Sequence, residues 1–313
     1  MKSALSSPRQ VGAVSDGVIA GRPREPRAAV GPTPTRSAPR KRLRVADAWV
    51  LAALLVIAGA LFAAAFPSWI APYGPTDMNS DAILVAPGGG HLFGTDQFGR
   101  DVFTLVLYGA RQSLLIGVFS VLVGAGLGVA LGLVAGYAGG LLDMVLMRLI
   151  DIWMAVPNIL LAIALSTALG PSLATTIFAV SMQAIPRYAR VLRGQALAVR
   201  SRPFVMAARA SGASHLAIVR GHILPHCGGT IMVMATLGVG SAIVIGAGLS
   251  FLGLGVNDEQ PDWGYLLTQC RGYLTVAWWT VTFPGLAITA LVIAVNVVGD
   301  ALQRRFQPRS AAR

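Results

Sequence analysis

Six stretches of this chain are too long and too apolar to be core helices of a water-soluble domain. They fall at roughly 48–70, 112–136, 149–169, 172–188, 228–253 and 278–299. Crossing the hydrocarbon of a bilayer takes about 20 apolar residues as a helix. No other backbone arrangement satisfies its own hydrogen bonds there without closing into a barrel. The composition agrees: 55% of residues are hydrophobic and 12% charged, and mean hydropathy is +0.66. The fold expected is all-α and polytopic, with six transmembrane helices. The fourth segment is the shortest and is expected to end at Pro186.

Charge sets the orientation. If the N-terminus lies inside, all but three of the 25 Lys and Arg residues fall in the tail, the 187–226 loop, the C-terminus or at Arg148; Arg100, Arg111 and Arg271 remain on or near the other side. The opposite loops instead carry Asp77, Asp81, Asp96, Asp101, Asp258, Glu259 and Asp262. Basic loops resist translocation, so both termini are expected in the cytoplasm. The net charge of +12 needs no nucleic acid to explain it, because the same rule accounts for it and no basic helix interleaved with aromatics is present.

The chain divides accordingly. Residues 1–46 read as a disordered basic tail that ends in Arg40-Lys41-Arg42-Leu43-Arg44 and touches anionic lipid. Residues 47–111 hold the first span and an external loop. Residues 112–299 form the core, with a cytoplasmic loop at 187–226, and 300–313 form a second cytoplasmic tail. Ala63-Ala64-Ala65 could mimic a signal cleavage site. The long leader and the length of the apolar run argue instead for an uncleaved helix. Val102 to Arg111 is amphipathic and too polar to span, and is expected along the outer interface.

The second span carries Gly124, Gly128, Gly132 and Gly136. Spacing of four puts them on one face, where a second backbone can approach closely; helix packing is the favoured reading over solute lining. Arg148 and Asp151, near Asp143, read as a structural ion pair at the inner boundary rather than a proton relay, since the bodies of the other spans are uncharged. Pro157 and Pro284 fall inside spans and are expected to kink them. Of the four histidines, His215, His222 and His226 share the basic loop at spacings that do not converge on a metal. Cys227 and Cys270 are expected on opposite sides and so unable to pair. A phosphate-binding loop needs lysine after a glycine turn. Lys2 and Lys41 are the only lysines and neither follows glycine, so any ATP hydrolysis must come from another subunit.

The 204–225 stretch is polar, basic and free of acid, yet it sits between two long apolar segments. Such a block on one side of a membrane is a docking surface for something soluble. Ala207-Ala208, Gly212 and Leu224-Pro225 have the spacing of the coupling loop of ABC-importer permeases. With it, in order, stand Gly94-Thr95-Asp96, Gly99-Arg100-Asp101, Gly109-Ala-Arg-Gln-Ser-Leu114, Asp151 with Pro157, Ser250-Phe-Leu-Gly-Leu-Gly255, Pro261-Asp-Trp-Gly264, Trp278-Trp279 and Pro284-Gly285. From about Trp49 to Pro308 the chain resembles the second permease subunit of the dipeptide, oligopeptide and nickel ABC importers.

That resemblance implies a MetI-like permease fold in the plasma membrane. It also implies a related second permease as heterodimer partner, two ATP-binding subunits that hold ATP and magnesium, and an external binding protein. This chain itself would need no cofactor or metal and catalyse nothing. Met206, Ala207, Ala208, Gly212, Ala213, His222, Leu224 and Pro225 would form the ATPase-coupling loop, with Gly212 permitting its turn and Pro225 ending it. Asp96, Arg100, Asp101, Asp262 and Trp263 would face the binding protein. Met206 stands where the family has an acid, so docking there would lean on apolar contact. Peptides are the default solute and nickel an alternative. An ion-driven secondary transporter and a non-transporting scaffold are the competing readings.

Overall fold

The computed structural model describes residues 40–256 and 261–306, and among them every regular element is helical apart from an isolated bridge between Thr95 and Asp101. The expectations for residues 1–39, Asp258, Glu259 and 307–313 lie outside the described residues.

Helix α1 spans Arg40–Ala65. It therefore takes in the last seven residues of the expected tail, because nothing between Arg40 and Asp47 breaks a helix. Pro67 ends it: the residue before a proline is driven from helical geometry, and Phe66 sits at φ −130°, ψ 54°. A single turn, α2 (Pro67–Ile70), follows.

Helix α3 runs unbroken from Val102 to Ala138. The Val102–Arg111 segment is thus no separate interfacial helix. It is the outer end of a rod about 55 Å long, capped by Asp101, whose side chain accepts from Thr104 N. Gly139 and Gly140, at φ +68° and +59°, turn the chain into α4 (Gly140–Ala155). Pro157 does more than kink the third segment. It separates α4 from α5 (Asn158–Leu169) at a bend of 84°.

Helix α6 (Leu173–Arg200) does not end at Pro186 but carries it inside. Its C-terminal half is polar, with Arg187, Arg190 and Arg193, so it fails the composition of a free span although 28 residues are ample to cross. Short helices α7 (Pro203–Ala210) and α8 (His215–Ile218) lead through a π-helical turn, Val219–Ile223, into α9 (Leu224–Phe251). Helix α10 (Trp263–Cys270) and α11 (Trp279–Phe306) complete the chain, and α11 continues through Pro284.

Among the described residues, four helical runs are long and apolar enough to cross a membrane: Asp47–Ala65, Val102–Ala138, His215–Phe251 and Trp279–Phe306. The bent α4–α5 pair adds a fifth if counted as one span. With α6 these correspond to the six apolar segments of the sequence. Leu51, Leu55, Leu122, Leu141, Met144, Leu149 and Ile152 are all exposed. That is costly in water but suits lipid, where burial of apolar groups is no driving force.

The tightest helix pair is α3 against α6. A Cβ at Gly124, Gly128, Gly132 or Gly136 would lie 2.4–2.7 Å from Ala184, Ile185, Tyr188, Ala189, Arg193 or Ala196 atoms of α6. Two apolar clusters run along this pair. One, at the loop end, joins Leu133, Leu192, Ala196 and Val199 to Val205, Ile218, Ile223 and Cys227.

Candidate functional site

The loop between α6 and α9 is built as a rigid corner. Arg193 grips Asp143 of α4 with two hydrogen bonds, and Arg190 meets Asp151 at 2.6 Å. The expected Arg148–Asp151 pair is therefore replaced: Asp151 faces α6, and Arg148 is exposed. Contact with a neighbouring helix, rather than helix spacing, chose the partners. Two turns on, Arg200 Nη1 donates to the carbonyls of Tyr137 (2.9 Å) and Gly136 (3.4 Å), satisfying orphan acceptors at the end of α3.

Pro203 opens α7 where a missing N–H costs nothing. At its other end Gly212 adopts φ +80°. Gly212 N donates to Arg209 O and Ala213 N to Ala208 O, a Schellman termination. Ser214 then caps α8 by accepting from Ala217 N. Val205, Ile218 and Ile223 are buried against the spans. Met206, Ala207, Gly212, Ala213, Leu224 and Pro225 are exposed, and Ala208 and His222 half-buried.

Pro225 does not end the loop, contrary to expectation. It sits at the second residue of α9, inside a helical run that continues from His215 to Phe251. A proline ring clashes with the carbonyl four residues back. The π turn relieves that clash, with Leu224 N bonding to Val219 O, five residues back.

The three loop histidines are occupied by aromatic neighbours. His215 Nδ1 lies 2.7 Å from Tyr137 Oη, and the Arg209 guanidinium covers the same tyrosine ring at 5.6 Å. The Phe204 ring stacks on His226 at 4.8 Å, with His222 at 6.1 Å. Among the described residues no three His, Cys, Asp or Glu side chains converge on a metal position. Tyr137 and Phe204 escaped the sequence reading. Only the i, i+4 spacing of His222 and His226 hinted at a shared face.

At the opposite end, the five residues expected to face a binding protein are instead buried. Asp96, Arg100, Asp101, Asp262 and Trp263 are each no more than 3% exposed. Asp96 holds Arg100 at 2.7 Å and accepts from the amides of Phe98 and Arg100. Arg100 also donates to Gln269, and Asp101 meets His91 at 2.9 Å. Trp263 Nε1 donates to Val106 O. Asp262 caps α10 through Tyr265 N and accepts from Ser250 Oγ at 2.7 Å. Their side chains fasten the outer loop to α3, α9 and α10. Burial pushes the Asp262 carboxyl up to about 6 and the Cys270 thiol up to about 11. Both cysteines are free and buried.

Between these ends lies a cavity of about 230 Å³, bounded by α3, α4, α5, α6 and α9. Its polar lining comprises Ser120, Asn158, Gln183, Arg187, Tyr188 and Ser241. No single segment of the sequence could have located it, since five helices supply its wall.

The sequence pattern of the family described as "binding-protein-dependent transport system inner membrane component" matches residues 128–311, which is more than half of the chain and includes the whole corner. The chain belongs to this family. The dipeptide transport system permease protein DppC of Alkalihalophilus pseudofirmus is 41% identical over 82% of this chain and 84% of its own length. The di/tripeptide permease protein DppC of Pseudomonas aeruginosa is 40% identical over 83% and 88%. The glutathione transport permease protein GsiD of Escherichia coli is 41% identical over 86% and 89%. An inward-facing MetNI methionine ABC transporter structure shares the fold with TM-score 0.53 at 19% identity, covering 65% of this chain and 97% of its own. The permease is thus a multi-pass inner-membrane transport subunit of an ABC importer, not an enzyme. It works with ATPase and substrate-binding components.

Proposed function

We propose that this permease forms half of the pathway by which di- and oligopeptides, delivered by an external binding protein, enter the cell. A second, related permease supplies the other half. Two ATP-binding subunits, which carry the ATP and magnesium, dock on the α7–α8 corner, and both termini lie on that cytoplasmic side. The observation that carries the coupling role is the corner itself. Met206, Ala207, Gly212 and Ala213 are offered to a partner, while Val205, Ile218 and Ile223 are locked into α3, α6 and α9. A push on the exposed side therefore moves spans rather than a slack loop. The peptide assignment is supported by relatives whose names give dipeptides, di/tripeptides and glutathione.

An ion-driven mechanism receives no support: the family is binding-protein-dependent, and the acids Asp143 and Asp151 near the spans are bound to arginines. Purification of the tagged permease in mild detergent, followed by proteoliposome uptake, tests the proposal. One related permease and ATPase subunits should co-purify, and labelled dipeptide uptake should need ATP and binding protein but survive ionophores. Uptake that collapses with an ion gradient, or is competed by nickel and not by peptides, would overturn it.

A further inference from the structure

Three arginines follow one another along α6 at intervals of three, and two of them are neutralised within the chain. Arg190 has Asp151, and Arg193 has Asp143. Arg187 has no carboxylate within salt-bridge distance among the described residues, and it lines the cavity rather than the α4 contact. That cavity is flanked by Ser120 of α3 and by the Met234–Ile245 stretch of α9, both well inside spans. Arg187 itself is exposed within this chain, so its guanidinium is open to whatever enters the cavity, and an ionisable group beside the spans without a counter-charge marks a functional position.

A second group points the same way. Gln183 stands four residues before Arg187, on the same face of α6, and its Nε2 is buried without a hydrogen-bond partner. Asn158 and Ser241 add polar atoms from α5 and α9. No acidic residue lines the cavity. A buried amide donor left unmade is costly, and a guanidinium fork matches a carboxylate in plane. The cavity is smaller than the roughly 300–1,000 Å³ of a typical whole-ligand pocket, so it suits one end of a solute.

We propose that Arg187 and Gln183 form a site that receives a carboxylate of the transported solute. On the peptide reading of the preceding subsection, on which this rests, that group is the peptide's C-terminal carboxylate. No lining residue of this chain offers the ammonium end a counter-charge.

The test uses the complete importer in proteoliposomes, with dialanine and its C-terminal amide as probes, each compared between variant and wild type at saturating binding protein. Arg187→Gln should lower ATP-driven dialanine uptake by about tenfold or more and leave uptake of the amide within about twofold. Arg187→Lys, which keeps the charge and loses the fork, should recover part of it. An equal fall for both probes would make Arg187 a structural or lipid contact and overturn the proposal, as would no change for either. If Arg187→Gln fails to assemble, Gln183→Leu decides: a loss confined to dialanine supports the site, and equal or absent losses reject it. Failure of the wild-type importer to move any peptide would sink the peptide reading itself, a result distinct from these.

Discussion

Tyr137 Oη and His215 Nδ1 lie 2.7 Å apart, tying the inner end of α3 to the first residue of α8. The span that packs most closely in the bundle is thereby joined directly to the corner. Tyr137→Phe removes the hydroxyl and keeps the ring beneath Arg209. The loss should be about 1 kcal/mol and fall on coupling more than folding. Peptide moved per ATP hydrolysed should drop about twofold with assembly intact, a ratio measurable in proteoliposomes.

The α3 glycines separate two kinds of position. A Cβ at Gly128 would meet Ile185 O and Tyr188 Cβ at 2.6 Å, whereas one at Gly126 meets nothing within 4 Å. Gly128→Val should destabilise the detergent-solubilised protein by about 2–3 kcal/mol. Gly126→Ala should be neutral or slightly stabilising. Thermal unfolding of the two side by side checks the α3–α6 contact without reference to transport.

Asp262 makes stability depend on pH in a definite direction. Its folded value is raised to about 6 by burial, so the native state holds more protons than the unfolded state from about pH 4 to 6. The contribution of the protonated carboxyl is fully present below that window and is lost as pH rises through about 6. Asp262→Asn keeps an acceptor for Tyr265 N and carries no charge. Its melting temperature relative to wild type should be more favourable at pH 7.5 than at pH 4.5. A difference independent of pH would mean that the carboxyl is not strained by burial.

Met206 is 57% exposed, so Met206→Glu should fold, assemble and transport at close to the wild-type rate. Gly212 is different: its φ of +80° suits glycine, although a Cβ there meets nothing within 4 Å. Strain is then the whole effect, about 1–2 kcal/mol for a β-branched residue. Gly212→Val should cut uptake severely, and Gly212→Asp less so, because Asp tolerates the left-handed region better. Assembly lost in Met206→Glu would refute that tolerance.

The spans were legible because lipid demands composition, and composition survives without contacts. Their limits were not. The polar residues of Val102–Arg111 and of Arg187–Arg200 look like span ends, yet each continues a helix whose neighbours absorb the polarity: Trp263 packs beside Gly109, and Asp143 meets Arg193. The outer acids read as surface because most acids are. The spacing Asp101 to Thr104 and Asp262 to Tyr265 already carried the helix caps that bury them. Gly212 between two short helical stretches could be seen in advance. The tyrosine beneath His215, 78 residues away in sequence, could not.

The central claim is that the α7–α8 corner is the surface on which the ATPase pushes, and cross-linking tests it most directly. Cys227 and Cys270 are buried, so a cysteine introduced at exposed Ala207 can be addressed alone, with one at exposed Leu92 as the outer-face control. In the assembled importer Ala207→Cys should cross-link to an ATPase subunit through a short bifunctional reagent and stop ATP-driven uptake, while Leu92→Cys leaves the ATPase unlabelled. A cross-link from Ala207→Cys to the external binding protein, or capture of the ATPase by Leu92→Cys, would contradict the coupling role and invert the topology.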